Sequence, residues 1–164
     1  MPPASPFPEL SIFQIAIVVR DLDATTAGHS ALIGNGPWRV YEFGPHMMSR
    51  YEMHGRPATA RTLVALNDSR PQVEILQPLS IPSIYQDWLD ERGEGLHHVA
   101  ALVKSVDDLV DAAAADGIEV ISTGEGFGTG GSGKFAYLDT QAQLGTILEL
   151  VEPPAGLGEP LRRI

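Results

Sequence analysis

Two glutamates stand where a buried strand should be apolar: Glu74 lies between Val73 and Ile75, and Glu149 between Leu148 and Leu150. A lone Glu in an antiparallel strand usually faces water, but one that points inward must be protonated, paired or bound to a cation, because an unpaired buried carboxylate costs several kcal/mol. Here the feature occurs twice. Gln14 and His98 are likewise polar residues inside strand-like apolar segments. Brought together, the four would offer one imidazole nitrogen and three oxygens. Such a hard, mostly oxygen set suits Mg, Mn, Co, Ni or Zn, and the two carboxylates cancel a divalent charge. The chain has no cysteine, which excludes thiolate nucleophiles, zinc-thiolate sites and iron–sulfur clusters.

An internal repeat is what would bring those side chains together. Residues 13–23 align without gaps on 97–107, and 72–78 on 147–153, so Gln14 is equivalent to His98 and Glu74 to Glu149. A weaker match sets 63–67 against 135–139. Each first strand runs into a helical stretch, 23–33 closed by Gly34 and 107–116 closed by Gly117, with Ser105 and Asp108 resembling a capping box. Strands are expected at 38–43, 49–53 and 61–66 in the first copy and at 119–122 and 134–138 in the second. The chain is thus α+β, two βαβββ modules related by a pseudo-twofold axis that draws Gln14, Glu74, His98 and Glu149 towards one point. The expected organisation is a flexible arm over 1–9, modules over 10–80 and 95–154, a linker over 81–94 with a short helix at 83–92, and a tail over 155–164.

Composition narrows the partners. The 164 residues are 43% hydrophobic, enough for a core, and carry a net charge of −10, which opposes nucleic acid and anionic membranes. With no apolar run of membrane-spanning length and no signal-like start, the expectation is a cytoplasmic protein with a small-molecule substrate. Strand alternation sets His97 on the face opposite His98, as a packing or hydrogen-bonded residue, and leaves His29, His46 and His54 as surface or loop groups. Arg50, Arg56 and Arg61 form a basic run that could meet an anion or simply edge a solvated hairpin. Trp38, Tyr41 and Phe43 are assigned to one face, lining the substrate side or the core. Residues 128–134 approach a phosphate-binding loop, but Phe135 replaces the hydroxyl residue and a strand follows, so they are a loop or lid.

With these residues in place, the chain resembles the vicinal oxygen chelate superfamily, which includes glyoxalase I, methylmalonyl-CoA epimerase, extradiol dioxygenases and bleomycin-resistance proteins. The resemblance runs from about residue 12 to 154 and is carried by 14–23, 73–79, 92–100 and 145–151. The stretch Gly93-Glu94-Gly95-Leu96-His97-His98 looks most like the epimerase branch, whereas a Gln/Glu/His/Glu set is similar to that of some glyoxalase I enzymes. The resemblance implies a cupped mixed sheet around one divalent metal ion, held by Gln14, Glu74, His98 and Glu149. It also implies proton abstraction beside a metal-bound carbonyl, with Glu149 or Glu74 as base, on a substrate such as an acyl thioester. A homodimer is implied as well. Epimerases place a catalytic Glu in the region that here holds Glu52. The alternatives are a glyoxalase I-like lactoylglutathione lyase and a bleomycin-resistance-like binding protein without catalysis. Gln14 departs from the two-His, one-carboxylate triad of an extradiol dioxygenase.

Overall fold

The computed structural model describes residues 5–164, so residues 1–4 of the expected arm lie outside the described residues. Within the rest of that arm, Phe7 packs against the core of the second module. The first module holds β1 (Ile12–Val18), α1 (Leu22–Ile33), β2 (Arg39–Phe43), β3 (Arg50–Met53), β4 (Arg56–Pro57), β5 (Thr62–Leu66) and β6 (Gln72–Pro78). After α2 (Ile84–Arg92) come β7 (Gly95–Leu102), α3 (Val106–Ala115), β8 (Val120–Phe127), β9 (Gly133–Leu138), α4 (Gln141–Leu144), β10 (Ile147–Glu152) and a short β11 (Arg162–Arg163).

The helix ends follow from local chemistry. Asp21, Ser83 and Ser105 cap α1, α2 and α3 by accepting hydrogen bonds from first-turn amides, which have no partner inside the helix. Gly34 and Gly117 take the left-handed conformation (φ 70° and 75°) that ends α1 and α3 and that a side chain would oppose.

The eleven strands of the described residues form one mixed sheet in the order β11-β2-β5-β6-β1-β7-β10-β9-β8-β3-β4. Its centre is the antiparallel pair β1 and β7, flanked by parallel partners β6 and β10. The repeat is visible in the register: Ala16 pairs with Glu74 across β1 and β6, and Ala100 with Glu149 across β7 and β10. Alternation then divides each strand between two sides. Val73 and Ile75 join Leu22 and Trp38 in the core beside α1, while Leu148 and Leu150 join Val106 and Ala113 beside α3. Glu74, Leu76, Glu149 and Val151 line the concave face.

Three features depart from the sequence expectation. The strand expected at 49–53 is present as β3, but apart from its short hairpin with β4 it pairs with β8 of the second module. The chain between β2 and β3 therefore joins opposite ends of the sheet, which curl towards each other until Phe43 and Phe127 stand 5.7 Å apart between ring centroids. Trp38 does not share a face with Tyr41 and Phe43. Three positions separate it from Tyr41, an odd number, so it points into the core beside α1, 1% exposed, with its indole N–H donating to Ser30 Oγ. Residues 155–164 end in β11, which adds to the sheet as an edge strand beside β2. No helix among the described residues is long and apolar enough to cross a membrane.

Candidate metal centre

The concave face brings together three of the four residues singled out by spacing. His98, 0% exposed, points its Nε2 between two carboxylates and lies 3.2 Å from both Glu74 Oε2 and Glu149 Oε2. One atom from each residue can be chosen so that all lie within 4.8 Å of one another. Gln14 lines the same cavity from β1, and its amide nitrogen donates to Gln72 Oε1 at 2.8 Å. Gln72, two residues before Glu74 and hence on the same side of β6, passes the chain of hydrogen bonds on to the Asn67 carbonyl.

The donor set fits a divalent cation. His98 Nε2 is buried and makes no well-aligned hydrogen bond although two carboxylates flank it. A single N–H cannot aim at both oxygens, whereas a cation between them would satisfy one nitrogen and two oxygens together. Two negative charges on so apolar a floor also call for a compensating dication.

A β-bulge accounts for the neighbouring histidine. The β1–β7 register slips between the pairs Ala16–His98 and Ile17–Leu96, leaving His97 without a partner in the ladder. Its ring therefore does not sit on the opposite face as plain alternation predicts. It packs against Tyr85, Trp88 and Tyr137, and its Nδ1 meets His98 Nδ1 at 2.9 Å. Burial, reinforced by His98, holds the His97 pKa well below the ordinary imidazole value. A neutral His97 can accept the Nδ1 proton of His98, which leaves His98 Nε2 as the ligating atom. Replacing His97 by Phe is expected to weaken binding of Zn²⁺ by about 10–100-fold with His98 intact, measured by competition with a chelating dye. An unchanged affinity would contradict that role.

Two further side chains were not found by spacing. The Tyr85 and Tyr137 hydroxyls share a buried hydrogen bond of 2.7 Å, and the Tyr137 ring lies 4.8 Å from that of His98. Burial and then the nearby carboxylates push both phenols well above their ordinary pKa, so they remain protonated donors. Their signal in the sequence was no stronger than that of any core tyrosine.

In the absence of a cation the imidazole takes its place. Burial opposes the charge on His98, but Glu149 and Glu74 outweigh it and carry the pKa to about 9. Burial pushes Glu74 upward as well. Both folded-state values lie above the unfolded ones, so these groups contribute most at low pH and less as pH rises. The His98 contribution is fully present below about pH 6.5, its reference value, and should fade as pH rises towards about 9, a loss of up to about 3 kcal/mol. Chemical denaturation of chelator-treated protein between about pH 6 and 10 checks this, and a flat profile would contradict it.

The other candidates lie elsewhere. Arg50 is bound to Glu52 at 2.6 Å and Arg61 to Glu42 at 2.7 Å, while Arg56 is exposed on β4. Glu52 lines a separate polar crevice with Arg50 and Lys134. His29 stands edge-on to Trp38 at 5.8 Å, and His46 and His54 are exposed. The glycine-rich loop is tied to the chain after β10 through Thr129 N–H to the Gly156 carbonyl and Ala155 N–H to Ser132 Oγ.

Comparison with known proteins follows the same line. The family model described as Glyoxalase/Bleomycin resistance protein/Dioxygenase superfamily matches residues 13–137. The uncharacterized protein YqjC of Bacillus subtilis (strain 168) is 28% identical over 82 residues, 50% of this chain and 58% of that protein, so the match spans little more than half the relative. Among solved structures, a hypothetical protein from Bacillus halodurans C-125 superposes with a TM-score of 0.66 at 19% identity, covering 89% of this chain and 96% of that one. A Streptomyces coelicolor methylmalonyl-CoA epimerase variant in complex with 2-nitronate-propionyl-CoA gives 0.64 at 24% identity, covering 90% and 100%.

Proposed function

The chain belongs to the glyoxalase/bleomycin resistance protein/dioxygenase superfamily, and from that premise we propose that it is a metal-dependent isomerase, epimerase or lyase that removes a proton next to a substrate carbonyl. The observation that carries this reading is the convergence of Glu74, His98 and Glu149 within 4.8 Å on the floor of a cup large enough for a small molecule. Glu74, His98 and Glu149, with Gln14 beside them, would hold the cation. A divalent ion bound there supplies Lewis-acid stabilisation for negative charge developing on a carbonyl oxygen.

The remaining work belongs to the chain itself. Glu149 is the base: its carboxylate takes the proton from the carbon beside the carbonyl and returns it to the same or the neighbouring carbon. Glu74, on the equivalent strand of the other module, is the second carboxylate within reach. The apolar wall of Phe127, Phe135 and Val151 limits hydration of the carboxylate and keeps it basic, while the proton it has taken up exchanges with solvent through the open mouth of the cup. Two alternative substrate types undergo this chemistry: 2-substituted acyl thioesters, as the methylmalonyl-CoA epimerase neighbours suggest, or α-oxygenated carbonyl compounds, as a glyoxalase I-like lyase would use.

The test is deuterium uptake from D₂O at the acidic carbon of such compounds, followed by NMR with metal-loaded protein. Exchange that needs the metal supports the proposal, and none across thioesters, hemithioacetals and hydroxyketones would overturn it. The mostly apolar lining also suits a binding protein without catalysis. That second reading would be favoured by a ligand bound equally well by metal-free protein and by Glu149→Ala.

A further inference from the structure

The cup is lined by aromatic and aliphatic side chains, and its charged lining residues are Glu74 and Glu149, both on the floor. Among the described residues no lysine or arginine lines it, and the buried His98 lies beneath the floor between the two carboxylates. Of the arginines that sequence offered for an anion, Arg50 pairs with Glu52, Arg61 pairs with Glu42, and Arg56 is exposed on β4 outside the lining, while Lys134 pairs with Asp107 at 2.7 Å. A divalent ion on the floor would be cancelled by its two carboxylates, leaving no surplus positive charge. The protein as a whole carries −10. A substrate carboxylate or phosphate entering this cavity would lose its hydration and gain no counter-charge, while the surface repels polyanions on approach.

The aromatic side chains are also ordered. Phe43 meets Phe127 at 5.7 Å, Phe127 meets Phe135 at 5.8 Å, Phe135 meets Tyr137 at 5.4 Å, and Tyr137 meets His98 at 4.8 Å. These tilted and edge-on contacts make a continuous wall of rings from the point where the two ends of the sheet approach each other down to the metal cluster. Another ring can pack against it in the same geometry. Met48 and the half-buried Leu157 extend the apolar lining, Leu157 from the segment that crosses to β11.

From the uncharged aromatic wall leading to the metal cluster, we propose that the substrate is an uncharged aryl carbonyl compound with an oxygen on the adjacent carbon, its ring held along Phe43, Phe127 and Phe135. Leu157 and Met48 set this selectivity. A CoA thioester or a carboxylate is rejected. This substrate class rests on the proton-abstraction reading above.

The test is calorimetric titration of Zn²⁺-loaded protein with three probes: 2-hydroxyacetophenone, its ring carboxylate 4-(2-hydroxyacetyl)benzoate, and propionyl-CoA. The neutral ketone is expected to bind at least about tenfold tighter than either anion. Leu157→Arg, or Met48→Lys should the first fail to fold, is expected to bring the ring carboxylate close to parity at unchanged metal content. An anion that binds as tightly as the ketone, or a ketone that does not bind, overturns the proposal. Metal content and deuterium uptake on the same samples separate the two readings. Metal-dependent exchange with propionyl-CoA preferred removes the substrate class alone. Ketone preference without metal or exchange removes the proton-abstraction reading, while the selectivity of the cup stands.

Discussion

Glu149→Gln is expected to slow solvent exchange at the substrate's acidic carbon by about 10²–10⁴-fold, the usual worth of a positioned general base. The amide has nearly the volume of the carboxylate and keeps an oxygen for the cation, so the register of Glu149 with Ala100 and Tyr137 should survive. The amide has no basic oxygen at neutral pH. Metal therefore stays bound, more weakly, and circular dichroism is unchanged while exchange is lost. The corresponding Glu74→Gln should weaken metal binding to a similar degree with a smaller effect on exchange. Equal losses in both variants would reassign the base or make the two carboxylates a unit.

His98→Ala acts on both metal binding and stability. Nε2 is the sole nitrogen of the proposed ligand set, and without it Zn²⁺ affinity should fall below what calorimetry detects at micromolar protein. In metal-free protein the same change removes the imidazolium standing 3.2 Å from Glu74 and Glu149, leaving two acids on an apolar floor. Breaking a buried pair in this way typically costs about 3–5 kcal/mol, so the midpoint of denaturation near pH 7 should drop clearly. The penalty should be largest below about pH 6.5 and shrink as pH rises towards about 9, where the wild-type imidazole loses its proton too. A variant with wild-type stability and wild-type metal content would contradict the whole arrangement.

How much of this was legible depended on where the signal resides. Caps are local, so Ser105, Gly34 and Gly117 marked helix ends that the structure reproduces. The equivalence of Glu74 and Glu149 came from the repeat, and it holds because Ala16 and Ala100 face them in the same register. Three things depended on contacts that no short window contains. The pairing of β3 with β8 is made between residues of different modules, and alternation within β3 is the same whichever strand it joins. The bulge at His97 breaks the period of two on which its face was assigned, and nothing in the residue pattern marks where a ladder slips. The aromatic wall is assembled from β2, β8 and β9, so its members are scattered along the chain.

The central claim is that one cation sits between the two modules. Titration of chelator-stripped protein with Zn²⁺ or Co²⁺, with metal content counted by elemental analysis, tests it most directly. The account predicts one equivalent per chain, tightly held, and none at comparable affinity in Glu149→Ala. A wild-type chain that takes up no divalent ion, or one that binds it equally well without Glu149, would contradict it.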